Sequence, residues 1–160
     1  MNAHRKFANL FPHRAHGLLD VLRWQFGFGP VEIPRVTNSQ LPPYEPQICA
    51  PQISTVPPEE TVRVTWVGQS TFLIQHGGRN ILTDPIFGNC QPMPIPKLRR
   101  VTPPGISFAA LPQIHDVIIS HCHYDHLDAP TIRQLGDRPN YWLPRGLARW
   151  FHRRGINNCH

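Results

Sequence analysis

The sequence predicts an α/β (α+β) fold in which strands bring loops to one edge of a sheet. Residues 62–83 alternate between apolar and polar side chains and contain turn signals, a pattern that is typical of a β-meander. After residue 116, strand-like segments alternate with helix-like segments. The chain has 160 residues, of which 40% are hydrophobic, so it is large enough to form one domain with a buried core.

Residues 1–60 predict a basic helix followed by a proline-rich arm. Between residues 15 and 26, leucine and phenylalanine recur at helical spacing, and Gly27 and Gly29 would end that helix. Proline lacks a backbone donor and disfavours helix in the residue before it. The prolines of the predicted arm are Pro34, Pro42, Pro43, Pro46, Pro51, Pro57 and Pro58. We therefore separate this segment from a main domain at residues 61–160.

The main domain begins with three predicted strands. Residues 62–67 alternate strictly, and a short turn leads from them to a second strand at residues 71–75. The pair Gly77 and Gly78 is a hairpin signal, since both positions of a tight hairpin turn need positive φ angles. A third strand follows at residues 80–83, so these segments predict an antiparallel meander.

The second half of the domain predicts alternating strands and helices after a second proline-rich loop at residues 92–104. The predicted elements are a strand at residues 116–120, a helix capped by Asp128 with Pro130 in its first turn and Gly136 at its end, a strand at residues 140–143, and a helix at residues 146–154. This order places the loop at residues 120–128 between a strand end and a helix start.

The amino-acid composition limits the classes of binding partner but does not identify one of them. A net charge of +6 attracts nucleic acid, anionic lipid or a phosphorylated substrate. No recognisable nucleic-acid-binding module is present, so we expect no nucleic-acid partner, whereas peripheral membrane contact and self-association stay open. We find no signal peptide and no apolar run long enough to span a bilayer, and the cysteines are scattered without a CxxC pair, so we expect a cytoplasmic protein. The cysteines are Cys49, Cys90, Cys122 and Cys159.

The segment at residues 120–128 carries the clearest chemical signal. His121 and His123 lie two apart in an extended segment and can therefore face one point together. Asp125 and His126 follow where the chain must turn into a helix, so they can face a neighbouring point. Imidazole nitrogens and carboxylate oxygens are ligands for zinc, iron and manganese. The alternative interpretation is a histidine-rich surface loop.

Three segments together resemble a known family. They are residues 66–74 (WVGQSTFLI), 81–87 (ILTDPIF) and 119–128 (ISHCHYDHLD). The HxHxDH pattern resembles the signature of the metallo-β-lactamase superfamily. The wider match resembles the branch of N-acylphosphatidylethanolamine-hydrolysing phospholipase D. The resemblance implies that residues 61–160 are the N-terminal part of an αββα sandwich. It also implies a phospholipase D-like phosphodiesterase with two zinc sites, for which iron or manganese is an alternative metal.

The resemblance also implies a role for each motif residue. His121 and His123 would bind the first metal, and Asp125 and His126 would bind the second. Asp125 would in addition be the catalytic residue that orients the attacking hydroxide. Asp84 would support the metal ligands from behind, although a turn-forming aspartate before a proline is the alternative interpretation. No substrate-binding residue is identified.

The later ligands of the family have no counterpart in this sequence. Family members supply a third histidine, a bridging aspartate and a last histidine, whereas this sequence has only His152 and His160 after His126. We therefore expect a truncated domain that is inactive alone. The parent activity would act on a small-molecule or phospholipid substrate, and lactone or ester hydrolysis is the alternative reaction. A non-catalytic remnant and a basic lipid- or nucleic-acid-binding module are the competing hypotheses.

Overall fold

The computed structural model describes residues 17–25, 28, 53, 55–89, 100 and 102–160. Most of the predicted proline-rich arm and of the loop at residues 92–104 lies outside the described residues, as do Cys49 and Cys90. The chain divides into two compact units, Met1–Glu45 and Pro46–His160, which we describe separately. The boundary that we expect between residues 60 and 61 stays a prediction.

The first unit contains one described helix, α1, at Leu18–Gln25. It lies inside the segment that the leucine spacing predicts. The backbone N–H of Gly17 donates to the Asp20 carboxylate at 3.0 Å, which satisfies one donor at the start of the helix. The apolar residues Leu18, Leu19 and Leu22 are exposed. Among the described residues, no helix is long and apolar enough to cross a membrane.

The second unit is built on a five-stranded mixed sheet whose strands lie in chain order. The strands are β1 (Arg63–Gly68), β2 (Thr71–His76), β3 (Arg79–Thr83), β4 (Asp116–Ile118) and β5 (Asn140–Trp142). The first three pair antiparallel, and β3, β4 and β5 pair parallel. All five were predicted, although β4 and β5 end earlier than the sequence pattern indicates. The predicted α/β class is confirmed at this level.

The hairpin between β2 and β3 turns at the predicted glycine pair. Gly77 and Gly78 have φ angles of 55° and 71°, which glycine adopts without steric cost. The turn places His76 opposite Arg79, so the alternation of the two strands stays in register. The backbone N–H of Gly77 also donates to the carbonyl of Pro58 at 2.8 Å, which holds the turn against the preceding segment.

One helix follows each of the last two strands along the chain. Helix α2 at Ala129–Leu135 begins after Asp128, whose side chain accepts the Thr131 N–H, and it ends at Gly136 with a φ of 64°. Both of these helix boundaries are as predicted. Helix α3 at Ala148–His152 is shorter than the predicted segment at residues 146–154. A 3-10 helix at Phe108–Ala110 was not predicted.

The core lies on one face of the sheet. Leu73, Leu82, Val117 and Tyr141 are paired side by side across β2 to β5, and all four are fully buried. The buried residues of the helices that join this core are Ile132 and Leu135 of α2 and Phe151 of α3. Burying a side chain of this size stabilises the fold by roughly 1.5–3 kcal/mol.

The opposite face of the sheet exposes several apolar side chains. Trp66 pairs with Phe72, Phe72 with Thr83, Thr83 with Ile118, and Ile118 with Trp142, so one row crosses all five strands. The exposed fractions of Trp66 and Trp142 are 61% and 48%. We call the exposed apolar residues of this side the open face; they are Val64, Trp66, Phe72, Ile118 and Trp142.

Candidate metal centre

Parallel pairing of β3 and β4 brings two chain segments to the same edge of the sheet. The first segment leaves β3 at Asp84, and the second leaves β4 at Ile119. The backbone N–H of Asp84 donates to the carbonyl of Ile118 at 2.9 Å, and Ile119 donates to Trp142 at 3.0 Å. The loop at residues 120–127 therefore starts directly beside Asp84.

The loop closes into a tight turn before α2. The backbone N–H groups of His126 and Leu127 both donate to the carbonyl of His123, at 2.9 and 2.8 Å. Leu127 is buried in the core, and Asp128 caps the helix. The turn is thus anchored by the strand at one end and by the core and helix cap at the other.

His121 and His123 form the first pair of donors. Nε2 of His121 lies 2.9 Å from Nδ1 of His123, and the ring centroids are 4.5 Å apart at an interplanar angle of 77°. Two ring nitrogens at this distance either share one proton or direct lone pairs toward one cation. The spacing of two residues therefore converges the two rings, as the extended segment predicts.

Asp125 and His126 form the second pair. Oδ2 of Asp125 lies 3.6 Å from Nε2 of His126, and the exposed fractions of the two side chains are 34% and 19%. The ring of His126 lies 4.1 Å from the ring of His121, measured between centroids. The two pairs are therefore neighbours, as the sequence predicts.

Both pairs fit a tetrahedral metal in donor type and in separation. Two ligands that each lie about 2.0–2.1 Å from a tetrahedral zinc are about 3.4 Å apart. The measured separations of 2.9 and 3.6 Å lie on either side of this value, so a small rotation of the rings would accommodate an ion. Within the described part of the chain, no group of three or more His, Cys, Asp or Glu residues is arranged to hold a metal. Among the described residues, each candidate position thus shows the two donors of its pair and no third.

Asp84 lies behind the ligands and contacts the loop through both carboxylate oxygens. Oδ1 accepts the backbone N–H of Ser120 at 2.7 Å, and Oδ2 lies 2.9 Å from Nδ1 of His126. Asp84 is almost fully buried and has a φ of 35°, which is uncommon for a residue other than glycine. Its carbonyl accepts the Thr71 hydroxyl at 2.8 Å, so this conformation is held from two sides.

A sequence model described as "Beta-lactamase superfamily domain" matches residues 79–158, which is half of the chain. The chain belongs to the metallo-β-lactamase superfamily. The resemblance seen in the sequence motifs is therefore confirmed. The matched segment begins at β3 and contains Asp84 together with the whole HxHxDH loop.

Three curated relatives of this superfamily chain illustrate the range of similarity. An uncharacterized protein of Mycobacterium tuberculosis is 38% identical over 96 residues, which cover 58% of this chain and 26% of that protein. N-acyl-phosphatidylethanolamine-hydrolyzing phospholipase D 1 of Caenorhabditis elegans is 30% identical over 102 residues, 61% of this chain and 29% of the relative. A UPF0173 metal-dependent hydrolase of Cupriavidus necator is 36% identical over 81 residues, 49% and 25% respectively. The chain thus matches less than a third of each relative.

Among solved structures, the chain is similar to CmlA, a diiron β-hydroxylase from Streptomyces venezuelae. The sequence identity is 26% and the TM-score is 0.46, over 64% of this chain and 20% of CmlA.

The structure adds Ser120 to the residues of this metallo-β-lactamase-type site. Its hydroxyl lies 2.7 Å from Oδ2 of Asp84 and 2.9 Å from Nδ1 of His121. Sequence reasoning missed Ser120, although a hydroxyl directly before the first histidine at a strand end was the available signal. His152 is exposed on α3, and His160 contacts the ring of Trp142 at 4.9 Å between centroids.

Proposed function

We propose that this chain forms part of a metal-dependent hydrolase that cleaves phosphodiesters, in the manner of a phospholipase D. The observation that carries the proposal is the convergence of two donor pairs, His121 with His123 and Asp125 with His126, at spacings suited to tetrahedral zinc. Iron and manganese accept the same donors and are the alternative metals. The name of the Cupriavidus relative, a metal-dependent hydrolase, supports the same class of reaction.

Zinc at such pairs would supply Lewis acidity and a nucleophile at neutral pH. Asp125 is one-third exposed, so its carboxylate is accessible to a water and would orient the attacking hydroxide. His126 is held by the Asp84 carboxylate, which fixes the direction of its other ring nitrogen. These residues therefore provide binding and orientation on one edge of the sheet.

A phospholipid is the proposed substrate class. The name of the Caenorhabditis relative, a phospholipase D that hydrolyses an N-acylated phospholipid, favours this substrate. The chain has a net charge of +6, which attracts anionic headgroups. Hydrolysis of a lactone or another ester by the same metal pair is the alternative reaction.

We also propose that the five-stranded sheet, with α2 and α3 on its buried face, corresponds to one sheet of an αββα sandwich. In such a sandwich the open face would pack against the second sheet. A catalytic zinc usually has three protein ligands and a water. With two donors at each position, we expect the 160-residue chain to bind metal weakly and to show little activity by itself.

The metal sites are tested by measuring zinc, iron and manganese per chain with elemental mass spectrometry. The wild-type chain is compared with a His121→Ala, His123→Ala double variant and with His152→Ala, which removes an exposed histidine on α3. With each metal added before the measurement, we expect a low but measurable metal content in the wild type and in His152→Ala, consistent with weak binding, and less metal in the double variant. Equal metal content in all three proteins, or no metal in any, would contradict the proposal and favour a non-catalytic remnant.

The reaction class is tested with a chromogenic phosphodiester, a chromogenic ester and a lactone, each with added zinc. We expect the phosphodiester to be the preferred substrate and Asp125→Asn to lower its hydrolysis. Because few protein ligands are present, the assay is also run on a longer homologous protein that contains the same motif. Hydrolysis of the ester or lactone alone would favour the alternative reaction.

A further inference from the structure

The Ser120 hydroxyl lies at the centre of the contacts behind the ligands. Its Oγ is 2.7 Å from Oδ2 of Asp84, 2.9 Å from Nδ1 of His121 and 3.4 Å from Nδ1 of His126. Ser120 thus contacts the support residue and one histidine from each proposed metal pair. No motif of the sequence analysis assigned it a role.

The donors and acceptors in this network can be counted. An ionised carboxylate only accepts hydrogen bonds, and a hydroxyl donates one and accepts up to two. The Ser120 hydroxyl therefore donates to Asp84, and its oxygen accepts a hydrogen bond from Nδ1–H of His121. That proton position leaves the Nε2 lone pair of His121 directed toward His123, where it is available to a metal.

The carboxylate oxygen Oδ2 of Asp84 also contacts the second donor pair. Oδ2 of Asp84 lies 2.9 Å from Nδ1 of His126, so Nδ1–H of His126 donates to it directly. Nε2 of His126 is then left to face Asp125. One buried carboxylate therefore holds the tautomer of both histidines, directly for His126 and through the Ser120 hydroxyl for His121.

We propose that Ser120 is a positioning residue that fixes the tautomer and ring orientation of His121 by connecting it to Asp84. The proposal rests on the proposed function in so far as His121 is a metal ligand. The backbone N–H of Ser120 donates separately to Oδ1 of Asp84 at 2.7 Å. The loop backbone therefore stays anchored when the hydroxyl is removed, so the role of the side chain can be tested apart from the fold.

The first test is the tautomer of His121 in the metal-free protein, read from ring nitrogen-15 chemical shifts and long-range proton couplings with the imidazoles neutral. We expect the Nδ1–H tautomer in the wild type and in Ser120→Thr, and a larger Nε2–H population in Ser120→Ala. An Nε2–H tautomer in the wild type would overturn the proposal, and this outcome does not depend on how any variant folds.

The second test is the zinc affinity of the same proteins, measured by competition with a chromophoric chelator, together with the visible spectrum of the cobalt-loaded forms. We expect Ser120→Ala to bind zinc roughly 10–100-fold more weakly, because removal of a hydrogen-bond partner behind a metal-binding histidine usually lowers the metal affinity by that factor. Ser120→Thr should restore the affinity, because it keeps the hydroxyl and the residue is exposed enough for a methyl group. Thermal unfolding in chelator checks that each variant is folded.

The outcomes separate the two proposals. If the wild type binds no metal, the proposed function fails, while the tautomer measurement still decides the role of Ser120. If the wild type binds zinc and Ser120→Ala has the same affinity, cobalt spectrum and His121 tautomer, the positioning role is overturned. A Ser120→Thr protein that is folded yet as impaired as Ser120→Ala would also overturn it.

Discussion

At the scale of single residues, Asp116 connects three strands through one carboxylate. Oδ2 lies 2.6 Å from Nη2 of Arg79 on β3, and Oδ1 accepts the indole N–H of Trp142 on β5 at 3.0 Å. Burial alone would raise the pKa of Asp116. Hydrogen bonds from Trp142, Arg79 and Asn140, with the charge of Arg79, more than offset that effect and hold the pKa below its ordinary value.

We predict that Asp116→Asn lowers the free energy of unfolding by about 1–3 kcal/mol at neutral pH. Because the folded-state pKa is lowered, the ionised carboxylate stabilises the fold above the unfolded-state pKa of about 3.9. This contribution is lost as the pH falls through the folded-state pKa. The free energies of unfolding of the two proteins, measured with urea at a series of pH values, should therefore converge as the pH falls. A constant difference at all pH values would contradict the prediction, and Glu59→Gln, at an exposed carboxylate, is the control.

The sequence allowed two interpretations of Asp84, as a turn-forming residue or as a support for the candidate ligands. The structure shows both the turn conformation and the contacts with the loop. We predict that Asp84→Asn keeps most of the stability, because asparagine tolerates the left-handed φ of 35°. The same variant should lose roughly 10–100-fold in zinc affinity, because the carboxylate beside His126 is gone. Thermal unfolding in chelator and zinc competition measure the two effects. Unchanged zinc affinity would leave only the turn interpretation.

At the scale of elements, the cap of α2 holds the end of the candidate metal loop at residues 120–127. The Asp128 side chain accepts the backbone N–H of Thr131 at 3.3 Å, and the Thr131 hydroxyl in turn accepts the N–H of Phe87 at 3.2 Å. The cap therefore connects the start of α2 with the segment that follows β3. Loss of the cap should affect both the helix and that segment.

We predict that Asp128→Ala lowers the free energy of unfolding by about 0.5–2 kcal/mol, the usual effect of removing such a cap. Amide hydrogen exchange should increase in the first turn of α2, which loses its acceptor, and at Phe87, because the Thr131 hydroxyl that accepts the Phe87 N–H itself donates to the Asp128 carboxylate. Arg133→Ala, on the exposed side of the helix, is the matched control. Exchange that increases equally across the whole sheet would show that the cap has no local role.

The types and order of the elements could be predicted, but several of their ends could not. Strand β4 was expected to continue to Ser120, yet the backbone N–H of Ser120 donates to the Asp84 carboxylate instead of to a neighbouring strand. Side-chain alternation cannot show where a strand loses its partner, because the partner is distant in sequence. The shorter extent of α3 and the 3-10 helix at Phe108–Ala110 were not predicted for a similar reason, since local patterns are weak in segments of one turn.

At the scale of the whole molecule, the open face predicts self-association of the 160-residue chain. Contiguous apolar surface of this kind favours burial against another surface, and the open face has residues on four of the five strands. We expect sedimentation velocity to show association that increases with concentration. Val64→Lys should reduce it, because a charge on the open face would have to be desolvated. Gln134→Lys, at an exposed position of α2, adds the same charge elsewhere and should leave association unchanged.

The order of the strands and of α2 and α3, the hairpin at Gly77 and Gly78 and the cap at Asp128 could be predicted from the sequence, which also indicated the residues of the candidate metal loop. These features depend on local patterns, because strand alternation, turn conformation and helix capping each involve residues that are close along the chain. The contact of Asp84 with Ser120, 36 positions away, and the exposure of apolar side chains on one sheet face are evident only in the tertiary structure. Parallel pairing of β3 with β4 produces that contact, and such pairing depends on residues far apart in sequence.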